Sequence, residues 1–344
     1  MKTELIYVDK RSGIPLYGID FIGVIDRGTN VIELKPLTLC NLKCKYCFVS
    51  AGDYTTNFMV DPYYLINKVD AIIENKGRYN IEIHIAPYGE ILLYPKMIEL
   101  IDNLWKIKGV EIISMQSNGL LLNQEIIKKL EEIRLTRINI SLNSLNQEKL
   151  GYLSNSNNFD ITFLVKNIRT LLNTKINVLL APVWFPGEND EDIEEIIKFI
   201  IELREQGYSK EKIQIGIQKY LIYKTGRKLK KIRPKSWGYF YKQLTRLERK
   251  YKIKLKLGPK DFHIHKRKKV IPSNIQKNDL ISLTIVSKGR WKNEYIGKID
   301  ENHGIKVLIN DPLIISENII SKNITARVIK ANYKDNILTA VFPI

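Results

Sequence analysis

Short apolar stretches alternate with amphipathic ones along residues 31 to 220. Six of them have the length of strands: VIELKP, IEIHIAP, VEIISMQ, RINISLN, KINVLLAPV and KIQIGIQKY. The segments between them place apolar residues at helical spacing, as in DPYYLINKVDAIIEN and DEDIEEIIKFIIELREQG. Repeated βα units predict a parallel sheet with functional loops at the carboxyl ends of its strands. Six such units predict an α/β fold, an open or partial (β/α)6 barrel.

Three of the predicted strands carry one polar face. Glu82 and His84 alternate with isoleucines in IEIHIA, and Asn139, Ser141 and Asn143 do so in RINISLN; KIQIGIQ shows the same alternation. Strands covered on both faces should be apolar on both. The recurring polar face therefore predicts a hydrated, ligand-holding interior, and edge strands that face water are the alternative.

The pattern changes after residue 220. The stretch KSWGYFYKQLTRLERKYKIKLKLGP predicts a serine-capped, basic amphipathic helix that runs into an extended basic arm. From about residue 271 onward, five short strands separated by turn residues predict a small closed barrel of the OB type. The predicted segments are an N-terminal extension, the α/β barrel, a basic helix with linker arm, and an all-β barrel: 1–30, 31–235, 236–270 and 271–344.

Composition limits the class of protein. The chain has 344 residues, of which 44% are hydrophobic and 27% charged, and it contains no apolar run near the roughly 18 residues that span a bilayer. Its first residues, MKTELIYVDKRSG, lack the apolar core of a signal peptide. We therefore expect a cytoplasmic protein without a membrane partner.

Positive charge is concentrated in one segment. Between Lys219 and Lys269 there are 20 lysines and arginines against only Glu248 and Asp261, an excess that equals the net charge of +18. A solvated lysine-rich surface is the alternative interpretation, but it predicts acids among the bases. The near absence of acids favours a surface that faces a polyanion.

The three cysteines of the chain lie within eight residues, as Cys40, Cys44 and Cys47 in LTLCNLKCKYCFVSAG. An odd trio in a cytoplasmic chain excludes a disulfide framework and indicates a metal or redox site. Three thiolates of one loop can ligate three irons of a [4Fe–4S] cluster and leave the fourth iron open. Zinc would prefer a second cysteine pair, which is absent, and three structural thiols would make the spacing accidental.

The C-x3-C-x2-C spacing directly after the first barrel strand, with Tyr46 before the last cysteine, resembles the radical S-adenosylmethionine (radical SAM) superfamily. The resemblance covers residues 31 to about 235. It implies a [4Fe–4S] cluster and S-adenosylmethionine as cofactors, and a low-potential electron donor of the ferredoxin or flavodoxin type. In this family an electron from the cluster cleaves S-adenosylmethionine, and the resulting 5′-deoxyadenosyl radical abstracts a hydrogen atom from the substrate.

Further stretches carry the resemblance to the cosubstrate site. APYGEILLYP resembles the family's Gly-Gly-Glu segment, with Gly89 and Glu90 in place and Tyr88 where the first glycine is usual. MQSNGLLL and ISLNSL resemble the segments after strands three and four. The resemblance implies that the residues contacting S-adenosylmethionine are Tyr46, Phe48, Gly89, Glu90, Ser117, Asn118, Ser141 and Asn143.

The number of cysteines excludes several of the reactions that members of this family catalyse. Family members that insert sulfur or relay a methyl group need further thiols, and this chain has only three cysteines. The reactions that remain begin with hydrogen abstraction and continue with rearrangement, cyclisation, coupling or unassisted group transfer. His84 is the candidate acid or base near the radical, and a histidine hydrogen-bonded inside the barrel is its alternative.

The last seventy residues resemble the TRAM-type or OB-like RNA-binding domains of RNA-modifying enzymes, of an archaeal type. We therefore predict a monomeric enzyme that modifies a nucleoside of RNA, with tRNA as its expected partner. The candidate RNA-binding residues are Arg227, Lys228, Lys230, Lys231 and Arg290. A radical enzyme acting on a protein, peptide or small metabolite is one alternative, and a non-catalytic iron–sulfur RNA-binding protein is another.

Overall fold

A computed structural model describes residues 3–271, 274–316, 319–332 and 334–343. Its strands are β1 Glu4–Val8, β2 Gly23–Asp26, β3 Val31–Lys35, β4 Thr56–Val60, β5 Ile81–Ile85, β6 Val110–Ser117, β7 Arg137–Ile140, β8 Asn177–Leu180, β9 Val183–Trp184, β10 Ile213–Ile215, β11 Gln218–Lys219, β12 Leu280–Lys288, β13 Glu294–Lys298, β14 Gly304–Ile309, β15 Asn323–Asn332 and β16 Ile337–Phe342. Its helices are α1 Pro62–Lys76, α2 Met97–Trp105, α3 Gln124–Glu132, α4 Gln147–Ser154, α5 Ile161–Leu172, α6 Asp190–Glu205, α7 Trp237–Tyr251 and α8 Pro312–Ser316.

Two compact units divide the chain. The first consists of Met1–Leu39, Asp53–Glu111 and His265–Ile344, and the second of Cys40–Gly52 and Ile112–Ile264. The predicted N-terminal extension and the predicted C-terminal barrel thus share one unit, while the three cysteines belong to the other.

In the first unit, β3 pairs in parallel with β5 and antiparallel with β2, and β1 pairs in parallel with β4. Helix α1 begins at Pro62, where the side chain of Asp61 accepts a hydrogen bond from the backbone N–H of Tyr64 at 3.0 Å. On β5 the three isoleucines are fully buried, and Glu82 on the polar face is only 2% exposed. The polar face of this strand is therefore buried at Glu82 and half-buried at His84, which disfavours the edge-strand interpretation for β5.

The second unit contains four parallel strands in the order β6, β7, β8 and β10, and β9 pairs in parallel with β11. On β7 the apolar face is buried and Asn139 on the polar face is 7% exposed. The predicted helices α3, α5 and α6 are confirmed, and the predicted basic helix is α7, whose cap is Ser236. Helix α4 was not predicted, because its Gly-Tyr-Leu-Ser end has little amphipathic pattern.

The five strands predicted near the carboxyl end form a closed barrel in the order β12, β13, β14, β16 and β15. The pairing of β14 with β16 is parallel, and the other pairings are antiparallel. The barrel is filled by apolar side chains, among them Ile285, Ile305 and Val307, which are fully buried. The prediction of a small closed barrel is therefore confirmed.

The structure contradicts the prediction that Arg290 binds RNA. Its side chain, 3% exposed, pairs with Glu294 through Nε at 3.0 Å and lies 3.9 Å from Asp20. Burial alone would lower the pKa of Arg290, but the charges of Glu294 and Asp20 raise it above its usual value. Because the guanidinium is enclosed in an ion-pair network, it presents no surface to RNA, and the turn at Gly289 and Arg290 is a structural anchor.

No helix in the described part of the chain has the length and apolar character required to cross a membrane.

Candidate active site

The three cysteines lie on the loop of residues 40–52, which we call the cysteine loop. None of the three is in a disulfide, and all three are partly exposed. The loop is a series of tight turns: the N–H of Cys47 donates to the carbonyl of Cys44, and the N–H of Ser50 donates to the carbonyl of Cys47, each at 3.2 Å. The backbone adopts positive φ at Ser50 (56°) and Gly52 (87°). The turns place the second and third cysteines beside each other.

The thiol of Cys44 is shielded from water and lies beside Cys47. Burial, together with the adjacent Cys47, raises the pKa of Cys44 to about 12. No group of three or more His, Cys, Asp or Glu side chains is arranged around one metal position in the described ranges. The donor set nevertheless fits a [4Fe–4S] cluster, since cysteine thiolates are the ligands such clusters take and one loop carries three of them.

Arg227 anchors the cysteine loop. Its Nε donates to the carbonyl of Cys44 at 2.7 Å, its Nη2 to the carbonyl of Ala51 at 2.8 Å, and its backbone N–H to the carbonyl of Cys47 at 2.8 Å. These bonds give Arg227 a role in holding the loop. That Arg227 also contacts RNA stays a prediction.

Two predicted asparagines are tied to the cysteine loop. Asn118, after β6, donates to the side-chain oxygen of Asn41 at 2.8 Å. Asn143, after β7, donates to the hydroxyl of Tyr46 and accepts from the backbone N–H of Val183 at 2.7 Å. The ends of neighbouring parallel strands thus bring these amides to the loop that holds the cysteines.

The two predicted serines have local partners. Ser141 accepts from Gln116 Nε2 at 2.9 Å, and Ser117 accepts from the backbone N–H of Gly119 at 3.0 Å. Ser117 therefore shapes the turn after β6, whereas Ser141 belongs to the polar face of β7.

The two aromatic residues of the cysteine loop differ in environment. Tyr46 packs on Phe185 with ring centroids 4.8 Å apart, and burial together with Cys44 raises its pKa well above the usual value. Phe48 is 50% exposed and contacts the ring of Tyr223 at 5.8 Å. Only Tyr46 is enclosed beside the thiols.

The first unit holds Gly89 and Glu90. A Cβ atom at Gly89 would lie 2.0 Å from the carbonyl oxygen of Leu39, so only glycine fits against the residue that precedes Cys40. Glu90 is 1% exposed; its N–H donates to that same carbonyl at 2.7 Å, and its carboxylate accepts from the N–H of Leu92 at 3.0 Å. These bonds fix the backbone and the carboxylate of the Gly-Glu segment.

Beside this segment lies an ion-pair network that the sequence analysis missed. Lys35, with a side chain 4% exposed, donates to Glu33 at 2.6 Å and to the carbonyl of Ala86 at 2.8 Å, and its ammonium lies 4.4 Å from the ring centroid of Tyr88. Burial raises the pKa of Glu33, but Lys35 and Arg27 outweigh it and lower the pKa to about 2.

His84 pairs across the strands with Glu33 in the same register. This places the half-buried histidine on the polar face that also carries Glu33 and Lys35. The alternation of VIELK, polar at 33 and 35, is the same signal that identified His84 and could have revealed both residues.

The remaining RNA candidates, Lys228, Lys230 and Lys231, are exposed. Beside them in sequence, α7 displays Trp237 and Tyr239, which are 52% and 43% exposed. These exposed lysines therefore precede, within about ten residues of sequence, a helix that displays aromatic side chains.

Comparisons with known proteins agree with this arrangement. Residues 34–200 match the family model described as the radical SAM superfamily. A protein of uncharacterised function from Methanocaldococcus jannaschii, MJ0103, is 32% identical over 358 residues, which cover 98% of this chain and 81% of that protein.

Two further similarities are partial. The GTP 3′,8-cyclase of Aquifex aeolicus is 29% identical over 177 residues, so that the match spans 51% of this chain and about half (54%) of the cyclase. A crystal structure of HydG, a maturase of the [FeFe]-hydrogenase, superposes with a TM-score of 0.53 at 12% identity, covering 74% of this chain and 56% of HydG. This structural likeness concerns the fold alone.

Proposed function

The chain belongs to the radical SAM superfamily, and on this premise we propose that it is an enzyme that modifies a nucleoside in RNA, with tRNA as its substrate. Members of this family bind a [4Fe–4S] cluster and S-adenosylmethionine. When bound, these two supply reductive cleavage of the sulfonium and a 5′-deoxyadenosyl radical. The residues of this chain hold the cluster, bind the cosubstrate and orient it.

In this proposal Cys40, Cys44 and Cys47 supply the thiolates to three irons. The carboxylate of Glu90, held by the N–H of Leu92, accepts hydrogen bonds from the ammonium group of the cosubstrate, because charge-assisted bonds of this kind are strong. Asn118 and Asn143 are held against the cysteine loop and orient polar groups of the cosubstrate.

The observation that carries the RNA assignment is the basic and aromatic surface of residues 219–247, a stretch without Asp or Glu. Lys219 lies 5.0 Å from the ring of Trp237, and Lys235 lies 5.7 Å from the ring of Tyr239. Exposed aromatic rings stack on bases, and lysines neutralise phosphates. We assign the closed five-stranded barrel near the carboxyl end to the OB type, a fold that often binds nucleic acid, and this assignment supports the same proposal.

The similarity to a GTP 3′,8-cyclase also favours a substrate that contains a nucleoside. Because that match spans about half of each chain, it supports the class of substrate and leaves the reaction to experiment.

The reduced protein, assayed without oxygen with S-adenosylmethionine and total tRNA from cells lacking the gene, is expected to form 5′-deoxyadenosine and a nucleoside of new mass. Mass spectrometry of digested tRNA measures the second product. Formation of 5′-deoxyadenosine with an unchanged tRNA contradicts the RNA substrate and favours a peptide or metabolite. If 5′-deoxyadenosine is not formed at all, the protein is not a radical enzyme.

Replacing Lys228, Lys230 and Lys231 by glutamine is expected to weaken tRNA binding about tenfold or more. The slope of log affinity against log salt should fall by about three, because each lysine displaces about one counterion. The matched control replaces three exposed lysines on helices, Lys128, Lys166 and Lys198, by glutamine. If both variants lose the same affinity for tRNA, the loss comes from the lower net charge of the protein. That result would contradict a local RNA surface at these lysines.

A further inference from the structure

Three consecutive residues of the second unit, Thr225, Gly226 and Arg227, contact the cysteine loop along half its length. Arg227 donates to the carbonyls of Cys44, Cys47 and Ala51 at 2.7 to 2.8 Å. The carbonyl of Thr225 accepts from the hydroxyl of Ser50 at 2.9 Å. The three bonds from Arg227 are made to backbone carbonyls of the loop, so they fix its course.

Gly226 allows this close approach. A Cβ atom at residue 226 would lie 2.5 Å from the carbonyl oxygen of Phe48 and 2.8 Å from its carbonyl carbon. Both are backbone atoms, which cannot move aside as a flexible side chain can. Even alanine at this position would therefore push the segment away from the loop.

We propose that residues 225–227 are a latch that sets the conformation of the cysteine loop, and that Arg227 is the positioning residue of the cluster it holds. The planar guanidinium reaches two carbonyls seven residues apart, which a lysine ammonium cannot do with the same geometry. Its charge is also fixed beside the loop that carries the thiolate ligands. Net charge and hydrogen bonding around the sulfurs set the potential of an iron–sulfur cluster.

The latch has two separable consequences. Its hydrogen bonds keep the loop in one conformation, whether or not the cluster is present. Its positive charge stabilises the reduced cluster, which carries one more negative charge than the oxidised cluster. The second consequence rests on the proposed cluster site, whereas the first does not.

The first consequence is tested on metal-free protein by the rates at which Cys44 and Cys47 are alkylated, resolved by peptide mass spectrometry. We expect Gly226→Ala and Arg227→Gln to raise these rates at least fivefold, about the factor equivalent to one hydrogen bond of ordinary strength. Arg233→Gln, a change of an exposed arginine six residues away, is the matched control and should leave the rates unchanged. Circular dichroism identifies a variant that has simply unfolded.

The second consequence is tested on reconstituted protein by a redox titration monitored by electron paramagnetic resonance. Arg227→Gln should shift the midpoint potential to more negative values, while Arg227→Lys, which keeps the charge, should shift it less but still raise the alkylation rates. Unchanged alkylation rates in both Arg227→Gln and Gly226→Ala overturn the latch. If Arg227→Gln loses affinity for tRNA while the alkylation rates of Cys44 and Cys47 stay unchanged, the latch is also overturned. Arg227 is then an RNA-binding residue.

Discussion

Replacing Cys44 by serine is expected to abolish retention of the iron–sulfur cluster and, with it, cleavage of S-adenosylmethionine. Loss of a partner that merely supports a metal ligand costs about 10- to 100-fold in metal affinity, so loss of a thiolate ligand should exceed about 100-fold. The measurement is iron and sulfide content per protein after reconstitution. Cys40→Ser and Cys47→Ser should behave alike, because each removes one of three thiolates.

Lys43→Gln is the matched control for this experiment, since Lys43 is exposed and lies between the first two cysteines in the same loop. It should retain full iron and sulfide. The metal-free Cys44→Ser protein should also give the circular dichroism spectrum of metal-free wild type, which separates ligand loss from unfolding. Full iron content in Cys44→Ser would show that this thiolate is not a ligand.

Replacing Arg290 by alanine is expected to lower the free energy of unfolding by about 3–5 kcal/mol, because it leaves the buried carboxylate of Glu294 without its cation. Glu294 is as enclosed as Arg290, each side chain being 3% exposed. Asp20 has a pKa below its usual value although burial raises it, because Lys306 and Arg290 outweigh burial. The backbone carbonyl of Arg290 also accepts from the N–H of Thr55 at 2.9 Å, so the turn itself is anchored.

Urea unfolding monitored by fluorescence and circular dichroism measures the change. The double variant Arg290→Met with Glu294→Leu should recover much of the loss, because it removes both charges and keeps the volume. Arg327→Ala, an exposed arginine on the same barrel, should change stability by less than about 0.5 kcal/mol. Equal effects of Arg290→Ala and Arg327→Ala would contradict a buried, stabilising ion pair.

The elements with strong periodicity could be predicted from the sequence. The alternation of IEIHI and RINIS identified β5 and β7, and the five short strands after residue 271 identified the barrel. The strands β1 and β4 were missed, because their stability depends on pairing with each other across more than forty residues. No local pattern reveals such a partner.

The roles of individual arginines were the least predictable. Arg227 was expected on an RNA surface because it lies in the basic segment, and Arg290 because it lies in the tail that resembles an RNA-binding domain. Whether an arginine faces water or is enclosed depends on distant partners: Arg290 meets Asp20, and Arg227 meets the carbonyl of Cys44. Only Glu294, four residues from Arg290, was near enough in sequence to suggest a pair.

During synthesis of the chain, the residues of the second unit are all present before those of the first unit. Every residue of the second unit, the cysteine loop included, has been synthesised once Ile264 is added. At that point the first unit still lacks β12 to β16. Asp20 and Thr55 cannot yet contact Arg290, which is synthesised some 235 residues after Thr55. Because domains fold as their residues emerge, the cysteine loop can be formed and held by Arg227 while the ribosome is still making the segment that closes the N-terminal part of the chain.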